Sequence, residues 1–105
     1  MLDINKIRRF VKSGKYEITL HALKRLDQRQ ILISEVKTAI MKGVIVESYP
    51  ADRPYPSCLV MGKVRGGFPL YVVCAQGHDK VYIITVHWLD PAKWLDPTTR
   101  REKKS

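Results

Sequence analysis

A change of texture at Val44 constrains this fold more than any other feature. Before it, apolar residues recur at helical spacing. After it come four β-branched and aromatic runs, "VIVESY", "SCLVMGKV", "PLYVVCA" and "KVYIITVHW", separated by "PADRPYP", "RGGF" and "QGHD". The last two separators carry Gly at hairpin length, which predicts an antiparallel meander for the final three strands. Helices first and strands later predict an α+β domain, with two to three N-terminal helices packed on one face of a four-stranded antiparallel sheet. A chain of 105 residues holds one such core, so residues 1–105 are read as a single domain.

Each helix has its own signals. Asp3 is a plausible N-cap for a first helix with Ile4, Ile7, Phe10 and Val11 on one side, and Gly14 stops it. A short extended piece, Tyr16 to Thr19, leads into a second helix starting at Thr19 or Leu20. There Ala22, Leu23 and Leu26 occupy one sector, and His21, Lys24, Arg25, Gln28 and Arg29 the opposite one. Ser34 is expected to cap a third helix, "SEVKTAIMKG", with Glu35 in its first turn and Gly43 after its end. Alternation in the last strand places Val81, Ile83, Thr85 and His87 on one face and Tyr82, Ile84, Val86 and Trp88 on the other. The second set is bulkier and is assigned to the helix-packed core, which leaves Thr85 and His87 on a more open face. The tail "RREKKS", from about residue 100 to 105, is too polar to pack and is expected to fray.

Composition narrows the partners. Nineteen Lys and Arg against ten Asp and Glu give a net charge of +9, an excess that favours a polyanion such as RNA, DNA or an acidic protein. No apolar run is long enough to span a membrane. The start "MLDINKIRRF" has no apolar h-region, which predicts no signal peptide and a cytoplasmic location. Cys58 and Cys74 lie in apolar stretches without a CxxC partner and read as small buried thiols. Neither they nor His78 and His87 have metal-ligand spacing, so no metal or cofactor is expected.

In "TLHALKRLDQRQI", His21, Arg25 and Arg29 are four residues apart, which on a helix stacks them along one stripe with steps of about 6 Å. Metal-free RNA cleavage needs a base for the ribose 2′-OH, an acid for the leaving 5′-oxygen and fixed cations on the phosphate. Histidine suits the first two roles and arginine the third. The stripe therefore reads either as the solvated face of a surface helix or as a phosphate site. His87 reads either as a satisfied half-buried histidine or as a group acting from across a cleft. Trp88 and Trp94 cover the core edge or stack on a base. Arg53, in "ADRPYP", lies in a loop able to touch a ligand.

These residues resemble a family. "TLHALKRLDQRQI", "SEVKTAIMKGVIVESYP" and the closing "VYIITVHWLDPAKW…RR" are similar to the domain-of-unknown-function family 4258, over roughly residues 16 to 101. That family's pattern has a Thr-x-His-Ala-x-x-Arg-x-x-x-Arg element, a helix ending in Gly, an Ile-x-Thr-x-Tyr strand, then Pro, Trp and a final Arg. The resemblance implies a small toxin-like domain with a fold similar to RelE-type and MqsR-type messenger-RNA endonucleases and barnase. It also implies a cognate antitoxin partner, in this group a small zinc-finger protein carrying a helix-turn-helix. The family's His and two Arg fall on His21, Arg25 and Arg29, its Thr on Thr85, its Trp on Trp94 and its last Arg on Arg100 or Arg101. Where the family has Tyr after Thr-x, this chain has His87.

The leading expectation is thus the toxin of a toxin–antitoxin pair, a metal-independent endoribonuclease acting on messenger RNA, free or ribosome-bound. Its catalytic set is His21, Arg25, Arg29, Thr85 and His87, and Lys24, Trp94, Arg100 and Arg101 bind RNA. Two alternatives are a non-catalytic module holding RNA or an acidic partner on the same basic face, and a degenerate toxin that keeps only its antitoxin interface. Everything turns on geometry: the stripe matters only if the open sheet face lies beside it.

Overall fold

The computed structural model describes residues 1–101, so Lys103 and Lys104 of the basic tail lie outside the described residues. Three helices come first, α1 (Ile4–Lys12), α2 (Leu20–Gln28) and α3 (Ile33–Lys42), with a short strand β1 (Tyr16–Ile18) between α1 and α2. Strands β2 (Val44–Tyr49), β3 (Ser57–Val64), β4 (Phe68–Gln76) and β5 (Val81–Trp88) follow, then a small hairpin of β6 (Trp94–Asp96) and β7 (Thr99–Arg100). The fold is α+β, and the β2–β5 meander is antiparallel throughout. The main sheet, however, has five strands, ordered β1-β5-β4-β3-β2, and is mixed, because β1 pairs in parallel with β5. Three residues were too few to register as a strand by alternation. Pairing with Val81–Ile83 is what makes Tyr16–Ile18 one.

Helix boundaries follow local chemistry. The Asp3 carboxylate accepts from the Asn5 N–H at 2.9 Å, and Gly14 takes φ +75° just after α1, a conformation that suits glycine. Helix α3 is capped at Leu32 rather than Ser34: the Glu35 carboxylate reaches back to the Leu32 N–H at 2.9 Å, so Ser34 falls inside the first turn. At its other end the Arg8 guanidinium donates to the carbonyls of Ile40 and Gly43, satisfying groups that a helix C-terminus leaves unpaired. Gly43 is needed for close approach, since a Cβ there would lie 2.3 Å from the carbonyl oxygens of Ala39 and Met61.

The main core lies between the helices and one sheet face, built on Ile7, Val11, Ala22, Leu26, Val36 and Ile40 against Val60, Val72, Val81, Ile83 and Val86. Leu23, expected in that core, is 46% exposed, since α2 is turned so that Ala22 and Leu26 point inward. The faces of β5 also differ from simple alternation. Val73 pairs with Thr85 and Cys74 with Ile83, so Ile84 is an extra residue with no partner on β4. This β-bulge reverses the phase of the strand. Before it, Val81 and Ile83, not Tyr82 and Ile84, enter the helix-side core; after it, Val86 and Trp88 do, as alternation predicts.

On the opposite sheet face the β6–β7 hairpin folds back over β3 and β4, and Leu59, Met61, Tyr71 and Trp94 form a second, smaller core. Among the described residues no helix is long and apolar enough to cross a membrane.

Candidate functional site

Thr19 fixes where α2 begins. Its N–H donates to Ile83 O and its hydroxyl to Ile84 O, both at 3.1 Å, while that hydroxyl accepts the Ala22 N–H as N-cap. The far end is pinned as well: the Arg29 guanidinium donates to Val86 O, and the Trp88 indole N–H donates to Arg29 O at 3.0 Å. Helix α2 therefore runs alongside the second half of β5, where β1 has ended, and supplies partners for carbonyls of an otherwise open strand edge. The lengths agree. Ten residues of helix rise about 15 Å, and four residues of strand span about 13 Å.

The consequence is a cleft of about 420 Å³ lined by His21, Arg25, Arg29, Thr85, His87, Trp88, Asp90 and Lys93. One wall is the four-residue stripe of α2 and the other the two-residue alternation of β5, with nearly equal steps of about 6 and 6.7 Å. His21 is exposed, and Arg25 and Arg29 are half-buried. Among the described residues Arg25 is held only by Gln28, at 2.6 Å, on the helix surface.

His87 is the inner wall. Its ring lies flat on Tyr71, with centroids 5.1 Å apart and planes 2° apart. Tyr71 in turn packs on Trp94 and donates its hydroxyl to Pro97 O at 2.6 Å. Burial pushes the His87 imidazole down to about 4, helped by the positive charges of Arg29, Lys93 and Arg100 against the opposing pull of Asp90. His87 is therefore neutral at pH 7, an acceptor at one ring nitrogen and a donor at the other.

Asp90 and Lys93 complete the cleft although neither belongs to the stripe or to the strand. Their signal is "DPAK": Asp at the first and Pro at the second position favour a tight turn. Asp90 O accepts the Lys93 N–H at 2.9 Å, and the turn returns Lys93 to the cleft.

The four residues expected to bind RNA lie elsewhere. Lys24 is exposed on α2 outside the cleft lining. Trp94 is 2% exposed, so its ring is not free to stack on a base. Arg100, expected in a fraying tail, lies in β7, with its guanidinium 4.5 Å from the Trp94 ring centroid and paired with both Glu47 oxygens. Arg101 donates to Pro91 O at 2.7 Å. Among the described residues no group of three or more His, Cys, Asp or Glu is placed to hold a metal ion.

The fold and site together define a small α+β domain with a cationic, histidine-flanked cleft at one sheet edge. Residues 18–88 match the family described as Domain of unknown function (DUF4258), and the chain belongs to that family. Comparison with curated proteins and with solved structures finds no match.

Proposed function

We propose that this protein is a metal-independent endoribonuclease of the RelE/MqsR type, the toxin of a toxin–antitoxin pair, acting on messenger RNA in the cytoplasm. The observation that carries the reading is convergence: His21, Arg25 and Arg29 from the N-terminal half share one cleft with Thr85 and His87 from the C-terminal half. A solvated helix face would have no such partner across from it. The three-helix, antiparallel-dominated α+β architecture is also what that reading expects.

Arg25, Arg29 and Lys93 hold the scissile phosphate and offset the charge that builds on it. Neutral His87 accepts the proton of the ribose 2′-OH as that oxygen attacks phosphorus. The P–O5′ bond breaks, and His21 protonates the departing 5′-oxygen. The products are a 2′,3′-cyclic phosphate and a 5′-hydroxyl. Thr85, beside His87, offers a hydroxyl to a phosphate oxygen. The cognate antitoxin, a small zinc-finger protein with a helix-turn-helix, would mask the cleft.

Purified protein incubated with RNA in excess EDTA is expected to yield 5′-hydroxyl and cyclic-phosphate ends, and induced expression to arrest growth. His21→Ala and Arg25→Ala should lower cleavage at least about a hundredfold and relieve the growth arrest while the fold survives. Full toxicity of both variants would sink the site assignment. Uncut RNA with salt-sensitive binding would identify a non-catalytic binding module instead.

A further inference from the structure

A second concavity, of about 450 Å³, lies next to the cationic cleft on the sheet face away from the helices. Its floor is Ala75 and Ile84, and Tyr55 and Tyr82 form one wall. The two tyrosine rings stack on each other, 5.6 Å apart and 10° from parallel, and both are only half-buried. At the rim are the exposed Arg53 and Asp52, whose carboxylate accepts the Ser57 hydroxyl. The outward side of that stacked pair, an apolar floor and a guanidinium are what a flat, polar-edged heteroaromatic ring packs against. The β5 bulge joins the two sites. Ile84 lines the apolar pocket and the next residue, Thr85, lines the cleft.

We infer that this pocket takes one unpaired nucleobase of a single-stranded RNA whose neighbouring phosphate sits in the cationic cleft, with Tyr82 and Tyr55 as the stacking wall. The inference rests on the reading of that cleft as an RNA site, and it makes the pocket the place where sequence preference arises. Stacking against an aromatic wall tolerates any base. The Asp52 acceptor and Arg53 donor at the rim are the groups able to discriminate base edges.

The test uses the full-length protein and 2′-O-methyl hexanucleotides, which lack the attacking hydroxyl and stay intact. Affinity is measured for one fully based strand and for strands with a single abasic site at each position. Wild type is expected to lose about tenfold in affinity at one position, the size of one base–aromatic stack. In Tyr82→Ala that position-specific loss should vanish, and Tyr82→Phe should behave as wild type. Tyr55→Ala, altered in the loop rather than in the sheet, repeats the measurement should Tyr82→Ala not fold. An identical abasic pattern in wild type and in the alanine variant overturns the pocket, even where RNA is cleaved. A Tyr82-dependent loss in a protein that cuts no RNA keeps the pocket and removes the nuclease. Absence of any hexanucleotide binding overturns both.

Discussion

At the scale of the residue, the two arginines of the stripe do different work. Among the described residues Arg25 hydrogen-bonds Gln28 alone, whereas Arg29 bridges α2 to the Val86 carbonyl of β5. Arg25→Ala should therefore cut RNA cleavage by about 10²- to 10³-fold, the loss expected for one transition-state donor, with the melting temperature unchanged. Arg29→Ala should lose activity and also about 1 kcal/mol of stability, since it removes a strand-edge hydrogen bond. Rates and melts measured on the same preparations separate the two. His87 gives a pH signature. Its folded imidazole titrates at about 4, pushed down by burial and by Arg29, Lys93 and Arg100, against an ordinary 6.5 in the unfolded chain. Between those values the unfolded chain binds more protons, so stability is full above about pH 6.5 and falls as pH drops toward 4. Thermal melts of His87→Gln should be flatter than wild type across that window. A parallel decline in both proteins would assign the acid sensitivity to other groups. The α2 side of the cleft was legible from spacing, because helical periodicity alone aligns His21, Arg25 and Arg29. Which of them also serve the fold was not legible, since the Val86 carbonyl lies 57 residues from Arg29 in the chain.

At the level of the elements, two contacts seat a helix and a hairpin on the two faces of the sheet. Gly62 of β3 lies under α3, where a Cβ would come 2.5 Å from Ala39 Cα and 2.6 Å from its carbonyl oxygen. Backbone cannot yield as a side-chain end can, so Gly62→Ala should destabilise by about 1–3 kcal/mol through overpacking, read from urea denaturation. On the other face, Trp94 anchors the C-terminal hairpin. Trp94→Ala should cost about 3–5 kcal/mol and loosen the support behind Tyr71 and His87, with cleavage falling further than Arg100→Ala causes. The bulge at Ile84 matters most for function. By inserting one residue it brings Ile84 to the apolar pocket and Thr85 to the cleft, where strict alternation would have put them on opposite faces. Local periodicity identified the strand and its open end correctly. It missed the bulge, because a bulge is a property of two paired strands and not of either alone.

At the scale of the whole molecule, the formal charge of +9 overstates what faces the cleft. Arg8 caps α3, Arg65 pairs with Glu35 and Arg100 with Glu47, so these cations are tied to the fold. Arg25, Arg29 and Lys93 line the site. If each of the three holds one phosphate, the salt slope is about −2 in log affinity against log salt for single-stranded RNA. Titrating a 2′-O-methyl oligonucleotide between low and physiological salt checks this, and a slope near zero would mean that phosphates are not what the cleft holds. What the chain alone settles is the α+β class, two to three N-terminal helices, the antiparallel meander and the histidines and arginines of the cleft. All of these follow from local periodicity and turn chemistry, which act within a few residues. Only the tertiary structure decided that Tyr16–Ile18 joins the sheet in parallel, that α2 lies against the edge of β5, and that Trp94 and Arg100 are committed to a second core. Those outcomes come from pairing and packing between segments as much as 65 residues apart, such as Thr19 and Ile84, and no window along the chain contains both partners.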